Sequence, residues 1–217
     1  MPEPAESPEA AADALAAALD SAGSPDTASH REVRRRFSRE WRRRPGEFVL
    51  AAAAVVARRR RHRWIAYELI RSHPAAFHAL DDARLAAFAE GLDSWDSVDA
   101  FGRTLSGPAW ARGLVSDGLI ESWTRSEDRW LRRAALVSTI ELGADARVLA
   151  VCEALAGDRD DMVVKGLSWA LRKLAKHDSA AVRDFLDRHG AALSARVRRE
   201  VANKLTTGLK NPRRAAR

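Results

Sequence analysis

Residues 165–173 read Lys165-Gly166-Leu167-Ser168-Trp169-Ala170-Leu171-Arg172-Lys173. Leu167, Leu171 and Leu174 recur every three or four positions, the period of one buried helix face. Lys165, Trp169, Arg172 and Lys173 form a polar-aromatic stripe, and Gly166 and Ala170 keep its flanks small. Small flanks allow close approach of another backbone or of nucleic acid. The stretch therefore reads as a helix with one apolar face and one polar-aromatic face.

The same period extends from His30 to Thr207, and no Val/Ile/Thr-rich alternating run bounded by hairpin turns interrupts it. Helices are predicted near 31–44, 46–59, 62–72, 81–92, 95–106, 112–125, 127–141, 144–156, 159–176, 179–189 and 194–207. Their joints are Pro45-Gly46, His73-Pro74, Gly107-Pro108, Gly143, Gly157 and Gly190. Asp81, Ser126 and Asp158 stand as N-caps ahead of apolar-periodic runs. Trp95, Trp130 and Trp169 each sit on a helix, 35 and 39 residues apart. HEAT and armadillo units repeat at ~40–47 residues and tetratricopeptide units at ~34; the tetratricopeptide pattern of small and aromatic positions is missing, so HEAT-like fits better. The expected fold is all-α, a HEAT-like α-solenoid of stacked antiparallel helix pairs with a concave basic face.

Net charge is +7, but residues 1–29 hold six acidic residues and no Lys or Arg, so the rest of the chain carries +13. The domain expectation is an acidic disordered tail over 1–29, with a transient helix possible over 10–19. A helical domain follows over 30–207, then a basic tail over 208–217 with Lys210, Arg213, Arg214 and Arg217. A basic body of this size favours a polyanionic partner, nucleic acid first; the bland alternative is a set of solvated cations. Arg31, Arg34, Arg35, Arg36, Arg39 and Arg42 to Arg44, then Arg58 to Arg61 and Arg63, suit phosphates without reading sequence.

Other classes are excluded or disfavoured. No apolar run approaches the ~20 residues of a membrane span, and the acidic N-terminus does not resemble a secretory signal. A single cysteine, Cys152, builds neither a disulfide framework nor a cysteine zinc site. There is no Gly-rich phosphate loop, His-Glu-x-x-His pair or nucleophile elbow, and the six histidines are scattered. The expectation is a soluble, cytoplasmic monomer, nucleoid-associated when bound to DNA, without metal or cofactor.

Three segments carry candidate chemistry. In Ser94-Trp95-Asp96-Ser97-Val98-Asp99, Trp95 and Asp99 share a helix face, a surface suited to a cationic ligand. The alternative is a partly buried Trp95 with Asp99 bonded to a neighbouring helix end. In Trp130-Leu131-Arg132-Arg133-Ala134-Ala135, Arg133 is placed to reach a phosphate, or Arg132 and Arg133 are solvated charges; Trp130 is expected in the core. In residues 165–173, Trp169 centres a basic stripe, or is a buried tryptophan ringed by solvated cations.

Taken in order, these segments resemble the AlkD-type DNA alkylation repair family, HEAT-like DNA glycosylases. A weaker match is Leu193-Ser194 followed by Arg199-Glu200, and the resemblance covers residues 30–207. It implies that Trp95 and Trp169 contact the damaged nucleotide, that Asp99 is the catalytic carboxylate, and that Arg133 contacts the DNA backbone. Arg132, Lys165, Arg172, Lys173 and Arg199 are the further DNA-binding expectations. The implied substrate is double-stranded DNA bearing cationic N3- or N7-alkylated purines. Such a base already leaves readily, so the enzyme has only to stabilise charge on the deoxyribose. The family's N-terminal Phe-Pro-Phe-Leu-Gly kind of segment is missing; that region reads Glu32-Val33-Arg34-Arg35-Arg36-Phe37-Ser38-Arg39-Glu40-Trp41. A non-catalytic protein recognising damaged or branched DNA, or a protein-interaction scaffold, are the competing readings.

Overall fold

A computed structural model describes residues 7–22, 27–59 and 61–212. Among these residues there are helices and loops and no strand. No described helix is long and apolar enough to cross a membrane. The chain divides into two compact units, Met1–Glu90 and Gly91–Arg217.

The first unit holds α1 (Pro8–Asp20), α2 (Thr27–Glu40), α3 (Gly46–Arg58), α4 (Arg63–Ser72), α5 (Pro74–His78) and α6 (Asp82–Ala89). Its core is made by α3 and α4, with Ala52, Ala53, Val56, Ile65, Ala66 and Ile70 fully buried. α1 corrects the expectation of a disordered tail over this stretch. Ser7 caps it, accepting from the Ala10 amide at 3.2 Å, and Pro8 occupies the first turn. Ala11, Ala12, Leu15, Ala16 and Leu19 are buried on one face, and α1 packs on α3. Alanine lets the two backbones come close, so a helix with few large side chains still loses its apolar face from water. Its carboxylates complete the docking: Asp13 pairs with Arg59, and Asp20 accepts from His62 Nε2 at 2.9 Å. That bond holds the Asp20 carboxyl below its usual range. Residues 1–6 and 23–26 of the expected tail lie outside the described residues.

The arginine run is partly structural, which also corrects the sequence reading. Arg31 and Arg34 pair with Glu68 on α4, and Arg61 with Asp20. Arg63 is buried and donates to the carbonyls of Ala57 at 3.2 Å and Glu90 at 2.9 Å, satisfying two helix ends. Arg35, Arg39, Arg42, Arg43 and Arg58 are exposed; Arg60 lies outside the described residues.

The second unit contains α7 (Trp95–Phe101), α8 (Gly107–Ala111), α9 (Asp117–Thr124), α10 (Arg129–Ser138), α11 (Ala146–Ala154), α12 (Asp161–Leu174), α13 (Ser179–His189) and α14 (Ala195–Thr207). α10 packs on α7, α12 on α10, and α14 on α12, while α9, α11 and α13 pack behind them. This is the solenoid-like stack expected of the sequence, and the three repeated tryptophans fall on α7, α10 and α12.

Two local features differ from expectation. Gly107-Pro108 does not end a helix: the π-helical segment Gly102–Ser106 carries α7 into α8. Pro108 has no amide to donate, and the wider π turn absorbs the missing bond. A Cβ on Gly102 would lie 2.7 Å from Val137 Cγ1, so glycine is what lets this bend press on α10. The caps of α10 and α12 fall two residues later than predicted, at Asp128 and Asp160, which accept from the amides of Trp130 and Met162 at 2.8 Å each. The predicted residues Ser126 and Asp158 instead accept the amides of those caps. Asp81 does cap α6, as expected.

Leu15→Ala is expected to destabilise the protein by about 2–5 kcal/mol, as for other fully buried leucines. Thermal unfolding followed by circular dichroism checks this; an unchanged melting temperature would restore the disordered tail.

Candidate functional site

Trp95 opens α7 and is 58% exposed, which is unusual for so large an apolar side chain. Asp99 lies one turn further along the same face. Its Oδ1 accepts from Arg133 Nε and its Oδ2 from Arg133 Nη2, both at 3.0 Å, a two-pronged fit of guanidinium to carboxylate. Arg133 comes from α10, is 5% exposed, and donates through Nη1 to the carbonyl of Met162 in the first turn of α12 at 2.6 Å. One side chain therefore ties three consecutive helices of the stack.

Gly166 makes room for it. A Cβ there would stand 3.3 Å from Leu136 Cδ1 and 3.6 Å from Arg133 Cγ. The small flank predicted from the sequence thus serves the approach of α12 to α10. Three residues on, Trp169 is half-buried, with the Arg103 guanidinium 5.9 Å from its ring centroid. Arg103 also donates to Glu141 at 3.3 Å.

Burial is the largest influence on Asp99 and pushes its carboxyl above its ordinary value. The charge and hydrogen bonds of Arg133, and the charge of Arg103, pull the other way without cancelling it. Asp99 is thus a carboxylate whose negative charge is only partly stabilised by its own protein.

Beside Trp169 lies a cleft of about 360 Å³, lined also by Arg133, Lys165 and Arg172, by Arg196 and Glu200 of α14, and by Lys210. Lys165 and Arg172, expected from the sequence beside Trp169, both line this cleft. Arg133 lines the cleft, and three of its five N–H groups are engaged by Asp99 and the Met162 carbonyl. Arg132 points elsewhere: it donates to Asp158 at 2.7 Å and to the carbonyls of Ser126 and Glu127 at 2.8 Å, bracing the turns before α10 and α12. Lys173 is half-buried and Arg199 exposed, and neither lines the cleft. Trp130 is half-buried under Arg129, 4.7 Å from the ring centroid, rather than in the core. It lies in the first turn of α10.

The sequence reading missed Arg103, Arg196 and, as part of a site, Lys210. Arg196 sits one turn before Glu200, so helical spacing alone points to Arg196 rather than Arg199 as its companion. Among the described residues, no three His, Cys, Asp or Glu side chains gather as a metal site.

The second unit is an all-helical stack that carries an exposed tryptophan, a half-buried carboxylate and a basic cleft, the charge of which suits a polyanionic partner. Residues 26–205 match the family described as DNA alkylation repair enzyme, and the chain belongs to that family. Its general role is therefore DNA alkylation repair, acting on DNA. No curated protein matches the chain.

Arg132→Ala is expected to lower stability by about 1–3 kcal/mol through the unbraced turns. Its affinity for duplex DNA, measured on the folded variant, should stay within experimental error of the unmutated protein.

Proposed function

We propose that the protein is a DNA glycosylase that releases cationic N3- or N7-alkylated purines from double-stranded DNA, with Asp99 as the catalytic carboxylate. The observation that carries this is the Asp99–Arg133 pair beside the exposed ring of Trp95. A cationic purine is a ready leaving group, so the demand on the protein is to stabilise positive charge at the sugar as the glycosidic bond lengthens. A fixed, poorly solvated carboxylate meets that demand without reorganising during the reaction.

Arg133 leaves Asp99 able to do this. Each carboxylate oxygen has a second lone pair after accepting one N–H, free for the sugar or for an attacking water. The guanidinium also offsets the repulsion between Asp99 and DNA phosphates and works against the protonation that burial favours. The indole faces of Trp95 and Trp169 would attract the cationic lesion at about 0.5–2 kcal/mol each. Neutral bases lack both that attraction and the weakened bond, so discrimination rests on charge.

The same pairing favours a second reading, in which Asp99 is a structural ion-pair partner and the protein binds damaged or branched DNA without cleaving it. Base release from duplex DNA containing N7-methylguanine separates the two. Release above the spontaneous rate, lost in Asp99→Asn, supports the glycosylase. Tight, salt-sensitive binding with no release selects the second reading. The pH profile adds a signature. Because the Asp99 carboxyl lies above its ordinary value and is needed ionised, enzymatic release should fall on acidification sooner than for an ordinary carboxylate. Arg133→Lys, which loses the two-pronged contact, should move that limb to still higher pH.

A further inference from the structure

We infer that Lys210, returned to the cleft beside Trp169 by the turn after α14, adds a contact to a DNA backbone phosphate. This rests on the DNA reading above and concerns binding alone. The cations there are arranged in two pairs, each sharing one carboxylate. Lys165 and Arg196 both hold Asp161, at 2.6 and 2.5 Å. Arg172 and Lys210 both approach Glu200, at 3.9 and 3.5 Å. Each pair keeps one unspent positive charge, and the charge of Arg133 is used by Asp99.

Glu200 is the centre of the arrangement. It is buried, and Ser168 Oγ donates to its Oε2 at 2.6 Å across the α12–α14 contact. Arg172 Nε in turn donates to Ser168 Oγ at 3.2 Å. A buried carboxylate must be accompanied by positive charge. Here the separations from Arg172 and Lys210 exceed hydrogen-bond length, so both cations are held at the cleft while keeping donors for a ligand. A phosphate oxygen is the ligand such donors suit.

Lys210 arrives there through a built turn. α14 ends at Gly208, whose φ of +72° is the left-handed conformation that glycine adopts without strain. Lys204 Nζ donates to the Gly208 carbonyl at 2.5 Å, and Asn203 Nδ2 to the Lys210 carbonyl at 3.0 Å. The chain is folded back on α14 and Lys210 is returned to the cleft. Lys210 lies beyond residues 26–205, so this cation is an addition to the matched family region.

The test is binding of a fluorescent, undamaged duplex over a series of salt concentrations, for the unmutated protein, Lys210→Ala and Lys210→Arg. Lys210 is exposed but accompanies the buried Glu200, so affinities are compared only after circular dichroism and thermal melting show that each variant is folded. Removing one phosphate contact should lower the slope of log affinity against log salt by about 1 and weaken binding about fivefold at moderate salt. Lys210→Arg should restore both. Equal slope and affinity in Lys210→Ala would overturn the inference while leaving the DNA reading intact. If the unmutated protein binds no duplex at all, the DNA reading itself fails, and the inference with it.

Discussion

A single buried guanidinium organises the second unit. Arg133, on α10, reaches Asp99 on α7 and the first turn of α12, so the helix that carries the carboxylate and the helix that carries Trp169 are set by the same group. Neither end of this tie is dispensable. An arginine this buried needs acceptors, and an aspartate this poorly solvated needs a cation. Gly166 and Gly102 serve the same constraint, since side chains there would push α12 or the π segment off α10.

The tie also explains how one face can carry a reactive carboxylate next to a polyanion. Left alone, Asp99 would repel a phosphate backbone and burial would favour its protonated form. With Arg133 against it the pair is close to neutral at a distance, while the carboxylate edge stays negative at contact range. In the proposed mechanism the lesion, being cationic, is the partner that benefits from that edge. Trp169 joins this centre to the basic cleft, where Glu200 repeats the motif of a buried carboxylate holding cations in place.

Much of this was legible in the sequence. The all-helical fold followed from the unbroken helical period, and Trp95 with Asp99 from four-residue spacing on one face. Lys165, Trp169 and Arg172 followed from their shared stripe. What was not legible lies across helices. Asp99 and Arg133 are 34 residues apart, and nothing local in either segment names the other as partner. Arg132 and Arg133 are neighbours of one chemistry, yet their directions around α10 send one to the site and the other to the turns. α1 was misread because alanines rank low as core builders until a second alanine-rich helix faces them. The caps slipped by two residues because Ser126-x-Asp128 and Asp158-x-Asp160 each offer two cap residues, and composition does not rank them.

The most direct test of this picture is a double-mutant cycle on thermal or denaturant unfolding with Asp99→Asn, Arg133→Met and the pair together. A shared tie predicts that the two losses are strongly non-additive, with a coupling of about 1–3 kcal/mol. Losses that add to within about 0.5 kcal/mol would mean that the two residues do not act on each other, and would contradict the account.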